Sequence, residues 1–566
     1  MKELLHPLLI VSQKKWFFAL NWFLSFLLLN GIFYHTSCRK DLSRSGRFEL
    51  TKSTVLNLER LDSILFIDAF YSSEIPGEYK SRLDLTKEVL REIAAVGGRK
   101  VKLRLFDPSS SEEDARQAQE SGVEPQILEK SDRESASVKR AYLGIKLTLG
   151  AKSQTIPVAF FAEQIEVQIL SSLRNLTRPN LNSEIAILHT EGSLSTKRTG
   201  NYSDKDSVGV FVNEILRREF GEINEFDPNQ SEIPESTKVL LWFGSGNLQD
   251  NARYAIDQFL LRGGSLIVLA KTMDFRLGGN TPGTGMLLDS MTTSGVAQEE
   301  THAVELNSFL LRYGIQVHSD MIFDLENSLP IGSLVEIEPG VIGRYPYAPW
   351  IVASQKTETL SLTSVYTQSQ ESLLLPWSSS IELIPEKQKY AKVEPILFSS
   401  KEAESRANYV MLGERQLLQS QFHPSGFPYI LGASSEGIFT STFEKQNIPK
   451  GFSEKYHLSK TPDDRISRIL VFGTPYLVSD LLAFTETQEI YRETNLPFLL
   501  NCIDILKGDK DLLSARAKQS GVLKMQPVSK SVMLLTNFGL VLGIPGLVCI
   551  YAFLRIRKRN LQGKIQ

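Results

Sequence analysis

The chain has 566 residues, 42% hydrophobic and 23% charged, the composition of an ordinary globular protein long enough for about three domains. Its 63 basic and 65 acidic side chains leave a net charge of −2. No strong block of Lys or Arg interrupts the middle, so nucleic-acid binding is argued against. The three cysteines, Cys38, Cys502 and Cys549, have the spacing of neither a disulfide framework nor a metal site.

A short N-terminus, residues 1–15, carries Lys2, Lys14 and Lys15. Trp16 to Tyr34 follows without a charge, and near the other end Val532 to Leu554 is also charge-free. Each approaches or passes the roughly 20 apolar residues that a helix needs to cross a bilayer core. One transmembrane helix is therefore expected at each end, 16–34 and 532–554. Arg555, Arg557, Lys558 and Arg559 open the basic tail 555–566. By the positive-inside rule they put the C-terminus in the cytoplasm. Two spans then place both termini there and the large middle outside, in a bacterial inner (cytoplasmic) membrane. Basic residues on both sides of the first span leave its own orientation open. A second reading of this region takes His35-Thr36-Ser37-Cys38 as a degenerate lipoprotein site with Cys38 as the lipid carrier.

Between the spans, residues 48–179 form a first α/β unit. Ser63 to Phe70 reads as a strand and Glu78 to Val96 as an amphipathic helix closed by Gly97-Gly98. Val101 to Phe106 alternates as a strand and stops at Asp107-Pro108. Ser111 and three acidic residues open another helix. Ala141 to Leu149 and Gln154 to Phe160 read as a hairpin around Gly150, and Glu163 to Leu176 as a further helix. This order resembles a thioredoxin-like arrangement, but without Cys-x-x-Cys, so redox chemistry is not supported.

A second unit covers residues 183–510. Glu184–Leu188, Lys238–Phe243 and Ser265–Ala270 read as strands, alternating with helices over 208–220 and 251–261, the pattern of a doubly wound parallel sheet. A helix over 305–313 and a strand over 317–323 follow. From about 325 to 459 helical periodicity fades, and short runs such as Leu360–Tyr366 and Tyr429–Ala433 alternate with Pro, Gly and Ser, the mark of a β-rich insertion. Ile469–Phe472 returns to the α/β pattern, Glu489–Leu506 is helical, and 511–531 is a linker.

The order of these features resembles the GldG family of auxiliary proteins of ABC-type transport systems, first associated with gliding motility. Phe106-Asp-Pro108, Ala255-Ile-Asp-Gln-Phe-Leu-Leu-Arg-Gly-Gly264, Leu306 to Gly314 followed by Asp320, and Asn495, Phe498, Asn501, Asp504, Gly508 and Asp509 carry the likeness. The resemblance implies a second unit like class I glutamine amidotransferases without their chemistry. It also implies an accessory subunit beside an ABC permease and ATPase, which contacts membrane lipid and an extracytoplasmic protein or glycan. The chain has no phosphate-binding loop of its own, since no Gly-x-x-x-x-Gly-Lys-Ser/Thr is present, so ATP hydrolysis has to come from a partner.

Three residues are candidates for a site. Ser245, in Gly244-Ser-Gly246 after an apolar strand, stands where a nucleophile elbow would sit, though the segment does not spell Gly-x-Ser-x-Gly. His189 and Glu191 follow the first strand of the expected sheet, where open α/β sheets bind ligands. The stronger reading of both is a solvated loop. Neither a catalytic set nor a metal site nor a cofactor is expected, and the reading is of a non-enzyme. A membrane-tethered envelope hydrolase and a lipid-anchored substrate-binding protein remain as alternatives.

Overall fold

A computed structural model of the chain describes residues 22–25, 50–132, 135–177, 184–197, 205–277, 295–331, 335–338, 340–344, 346–368, 370–412, 417, 420–483, 487–508 and 551. Contacts divide the chain into two compact units, residues 1–520 and 521–566. Apart from residues 22–25 and 551, both expected spans lie outside the described residues, as do the linker, the basic tail and Cys38. Among the described residues, no helix is long and apolar enough to cross a membrane.

The first sheet is built from β1 (Leu65–Tyr71), β2 (Val101–Phe106), β5 (Leu143–Leu149) and β6 (Lys152–Ile156). A separate hairpin, β3 (Gln126–Asp132) with β4 (Ser135–Ala141), precedes β5. The strand order is β2-β1-β5-β6. β1 and β2 run parallel, and β5 is antiparallel to both of its neighbours. Three longer helices serve this sheet: α2 (Gly77–Gly97), α3 (Glu112–Glu120) and α4 (Ala162–Thr177). Ser111 caps α3 by accepting from the Asp114 N–H at 3.2 Å, and Glu112, Glu113 and Asp114 face its positive end. Leu83, Leu90 and Ile93 of α2 and Ile165, Ile169 and Leu173 of α4 bury one face of the sheet, against Leu65, Ile67, Ile145 and Leu147. A short helix, α1 (Lys52–Glu59), leads into this unit.

The second sheet has nine strands among the described residues. Its parallel part takes β7 (Ile185–Leu188), β8 (Asn224–Phe226), β9 (Val239–Gly244), β10 (Ser265–Ala270) and β25 (Ser467–Phe472) in the spatial order β8-β7-β9-β10-β25. Every residue of β7, β9 and β10 is buried. Continuous apolar runs of this kind are what strands covered on both faces require. One face packs on α5 (Arg217–Phe220, continuing the π-helical turn Phe211–Leu216) and α8 (Leu496–Lys507). The other packs on α6 (Asp250–Leu261) and α7 (Ala303–Leu310). Gly508, at φ 75°, closes α8 in the left-handed conformation.

The stretch over 325–459 is β-rich, as expected, but it is not separate from this sheet. Strands β11 (Met273–Leu277), β12 (Gly295–Glu299), β13 (Ile315–Val317), β14 (Asp320–Asp324), β15 (Ser328–Pro330), β16 (Val335–Glu338), β17 (Val341–Gly343), β18 (Pro346–Ser354), β19 (Ser372–Pro376), β20 (Ile381–Leu383), β21 (Tyr390–Phe398), β22 (Ala403–Ala407), β23 (Val410–Met411) and β24 (Ile430–Ile438) follow in order. Of these, β24 pairs antiparallel with β25, and β21, β20 and β13 extend the sheet beyond it. The sheet is therefore mixed, with a parallel half and an antiparallel half. The run expected as one strand over 317–323 is two, broken at His318-Ser319, with β13 in the large sheet and β14 paired to β22. Leu360–Tyr366 makes a single bridge, Leu360 to Leu397, and then turns.

Both flanks of the described body meet α4. Glu166 accepts from Thr51 N at 2.6 Å and from Thr54 Oγ1 at 2.5 Å, just where the chain enters at α1. Arg174 pairs with Asp504 at 3.3 Å near the end of α8 and also donates to the Glu219 carbonyl at 2.9 Å. Lys507, nearly buried, pairs with Glu184 at 3.2 Å. Burial and the Arg174 charge lower its pKa against the pull of Glu184 and Asp504. Glu166 and Arg174 lie about 12 Å apart along the helix axis at 1.5 Å per residue.

Candidate functional site

In an open α/β sheet, neighbouring strands whose connections leave in opposite directions open a crevice at their carboxyl ends, and ligands bind there. Here that point lies between β7 and β9, since β8 flanks β7 on one side and β10 flanks β9 on the other. The sequence candidates fall on the two loops that border it: His189 and Glu191 after β7, and Ser245 after β9. The structure brings these loops together and bonds them to each other.

The closure is made by backbone and small side chains. Leu194 N donates to the Phe243 carbonyl at 2.8 Å and Ser245 N to the Gly192 carbonyl at 3.2 Å. Thr190 Oγ1 donates to the Ser245 carbonyl at 2.6 Å and receives the Trp242 indole N–H at 3.0 Å. Gly244, at φ 131°, is required here, because a Cβ on it would lie 2.4 Å from the Gly192 carbonyl oxygen. Ser245 is fully buried, and its Oγ has no hydrogen-bond partner. His189 Nδ1 is likewise buried without one. Glu191 points outward, 83% exposed, with His302 Nε2 3.7 Å from its carboxylate. A nucleophile needs a base within hydrogen-bond reach and an open path for substrate. Ser245 has neither among the described residues.

One strand further on, the same edge holds a cluster that sequence reading missed. Lys271 follows β10 directly, and its N–H is held by the Gly244 carbonyl at 3.1 Å. Its ammonium lies 3.3 Å from Asp274, 3.5 Å from Asp206 and 3.6 Å from Glu300, at 11% exposure. Burial disfavours the charged form, but the three carboxylates outweigh it and raise the lysine above its ordinary range. A lysine held as ammonium is no nucleophile; it is the centre of an ionic knot. The buried Tyr476 hydroxyl is pushed well above its ordinary pKa by burial and by the charges of Asp206, Asp274 and Glu300. Asp480 completes the edge by accepting from Ser207 Oγ at 2.7 Å and Val210 N at 2.9 Å.

A groove of about 760 Å³ opens at the antiparallel half, lined by His318, Asp320, Glu382, Phe427 and Tyr429 among others. Asp320 accepts from Ser380 N at 2.8 Å, Ser380 Oγ at 2.7 Å and Ser405 Oγ at 2.6 Å, so its carboxylate is committed to the fold. His318 faces Glu382 at 3.4 Å. Among the described residues, no three His, Cys, Asp or Glu side chains are placed to hold a metal ion.

The family described as "ABC-type uncharacterized transport system" matches residues 182–502, which span the whole parallel sheet and the antiparallel strands joined to it. The chain belongs to this family. Residues 44–148 match a domain of unknown function (DUF7088). An uncharacterized protein of Borreliella burgdorferi (strain ATCC 35210 / DSM 4680 / CIP 102532 / B31) is 23% identical over 294 residues, 50% of each chain. The chain thus spans about half the length of the curated relative it matches. Among solved structures, the mmIFT52 N-terminal domain aligns with a TM-score of 0.30 at 11% identity, covering 57% of this chain and 97% of that one.

Proposed function

We propose that the chain is a non-catalytic auxiliary subunit of a membrane ABC-type transporter complex, anchored by spans 16–34 and 532–554. Its α/β body lies outside the cytoplasm, where it binds or scaffolds an envelope protein, a glycan or a transported component. The observation that carries this reading is the closed switch point. Where a sheet of this order would take a substrate its two loops bond to each other, and Ser245 has no base within hydrogen-bond reach among the described residues. The strand order β2-β1-β5-β6, with β5 antiparallel, supports a thioredoxin-like first unit. The parallel order β8-β7-β9-β10-β25 supports the GldG-like, amidotransferase-related second unit.

The shared hold on α4 supports a role for the spans beyond anchoring. The N-terminal flank enters through α1, bonded to α4, and the C-terminal flank leaves from α8, which pairs with α4, so a partner that moves either span would act beside one helix. Purification of the tagged full chain in a mild detergent tests the proposal. An ATPase and a permease of the ABC class are expected in stoichiometric amounts, and their absence overturns it.

A further inference from the structure

The face of the first sheet opposite α2 and α4 is only partly covered. The register aligns its side chains in rows across four strands: Lys102, Phe66, Thr148 and Ser153 in one, and Arg104, Asp68, Lys146 and Thr155 in the next. The third row, Phe106 with Phe70, lies under α3, where Ala118 and Val123 pack on it. α3 has nine residues; beyond that row it reaches only Thr155, which donates to the Ser121 carbonyl at its C-cap at 2.6 Å, and Lys102, Arg104 and Ser153 stay exposed. Four strands at about 4.8 Å spacing make a strip roughly 14 Å wide.

The open rows have a definite chemistry. Arg104 clasps Asp68 with two bonds of 2.5 and 2.6 Å, yet remains 51% exposed. Its guanidinium lies 5.3 Å from the centre of the Phe66 ring and 5.9 Å from that of Phe106. Lys102 stands over Phe66 at 5.7 Å. Lys146 sits opposite Asp68 across the strand pair, but both oxygens of Asp68 are taken by Arg104. Arg104 thus neutralises Asp68, and Lys102 and Lys146 remain as the strip's excess charge. Arg and aromatic side chains together are what interface centres favour, and unpaired cations select a partner by charge.

We propose that this strip docks an acidic amphipathic helix of a partner polypeptide, which lies on the sheet beside α3 and completes its third layer. Helices cover both faces of sheets in three-layer α/β folds. Here Phe66 supplies the apolar contact, while Lys102, Arg104 and Lys146 take the carboxylates. The inference rests on the subunit reading only for where that partner is sought.

The test uses the full chain in its native membrane, with a photo-crosslinking residue at Thr148 or Ser153. A crosslink to an acidic segment of a co-purifying polypeptide is expected. Its yield should fall by roughly tenfold in K102E/K146Q, which keeps the Arg104–Asp68 pair and sets no carboxylate opposite Asp68. Reversing the partner's carboxylates to lysine should restore it. Crosslinks to lipid alone, crosslinks indifferent to the charge reversals, or none would overturn the proposal. A charge-dependent crosslink to an acidic protein outside any transporter would uphold the docking face while counting against the subunit reading.

Discussion

The two sheets of the body bury carboxylates in opposite ways. In the large sheet, covered on both faces, Asp257 of α6 is fully buried and accepts from Tyr313 Oη at 2.9 Å, Ser441 Oγ at 2.7 Å, Thr442 N at 3.0 Å and Thr442 Oγ1 at 3.1 Å. In the small sheet, Asp68 is 5% exposed but leans on one half-exposed arginine. A closed layer has to saturate a buried charge with fixed donors, and such a group then staples distant segments together. An open face can hold a charge through a side chain that water still reaches, and it stays free to trade partners. The large sheet is therefore read as architecture and the small one as surface.

Substitutions sharpen that contrast. Asp257→Ala removes the acceptor of five donors, Gln258 Nε2 at 3.1 Å among them, and should destabilise the large sheet by roughly 3–5 kcal/mol. The shift would appear in the denaturant midpoint followed by fluorescence of the buried Trp242, Trp350 and Trp377. Lys271→Met leaves Asp274 and Glu300 without this cation, while Asp206 keeps Lys205, and should cost about 2–3 kcal/mol. The effect has a pH signature. The folded pKa of Lys271 is raised, so its contribution is complete below the ordinary lysine value of about 10.4 and is lost as pH rises through the higher folded value. The gap between wild type and Lys271→Met should stay constant from neutral pH to that point and narrow in stronger alkali. Asp68→Asn should cost no more than about 1 kcal/mol, because its partner is half in water. Its effect would be confined to amide exchange in β1 and β2. A loss as large as that of Asp257→Ala would erase the distinction between the two layers.

The closed layer is also the part most legible in the sequence. Val239–Gly244 and Ser265–Ala270 announce central strands because only strands covered on both faces tolerate unbroken apolar runs of that length. The antiparallel half is much less so. Gly432 to Gly437 of β24 contains Gly, Ala, Ser and Glu, with no β-branched residue to mark a strand. Its pairing with β21 and β25 makes it a strand, and at Gly432 a Cβ would lie 2.8 Å from Leu397 Cδ1. The ionic knot has the same difficulty. Asp206, Lys271, Asp274 and Glu300 are scattered, and only the topology collects them. One signal was available, since Lys271 follows a central strand directly, at the edge where such sheets place their chemistry. The hairpin over 126–141 carries mixed polar residues and gives no alternation strong enough to be seen.

The smallest expected effect is the most informative about function. Ser245 stands where a hydrolase would keep its nucleophile, so a catalytic protein would lose its activity on Ser245→Ala. The structure points the other way. The hydroxyl is buried beside Gly192 with no partner, and burying an unpaired hydroxyl is unfavourable. Removing it should leave stability unchanged within about 0.5 kcal/mol or raise it slightly. On the proposed reading, transport should also be unchanged in Ser245→Ala and in His189→Ala alike, because that reading assigns the switch point no chemical step. Loss of transport in both variants, with the stability and assembly of the complex intact, would reopen the crevice as a working site. The large sheet would then have to be regarded as more than scaffold.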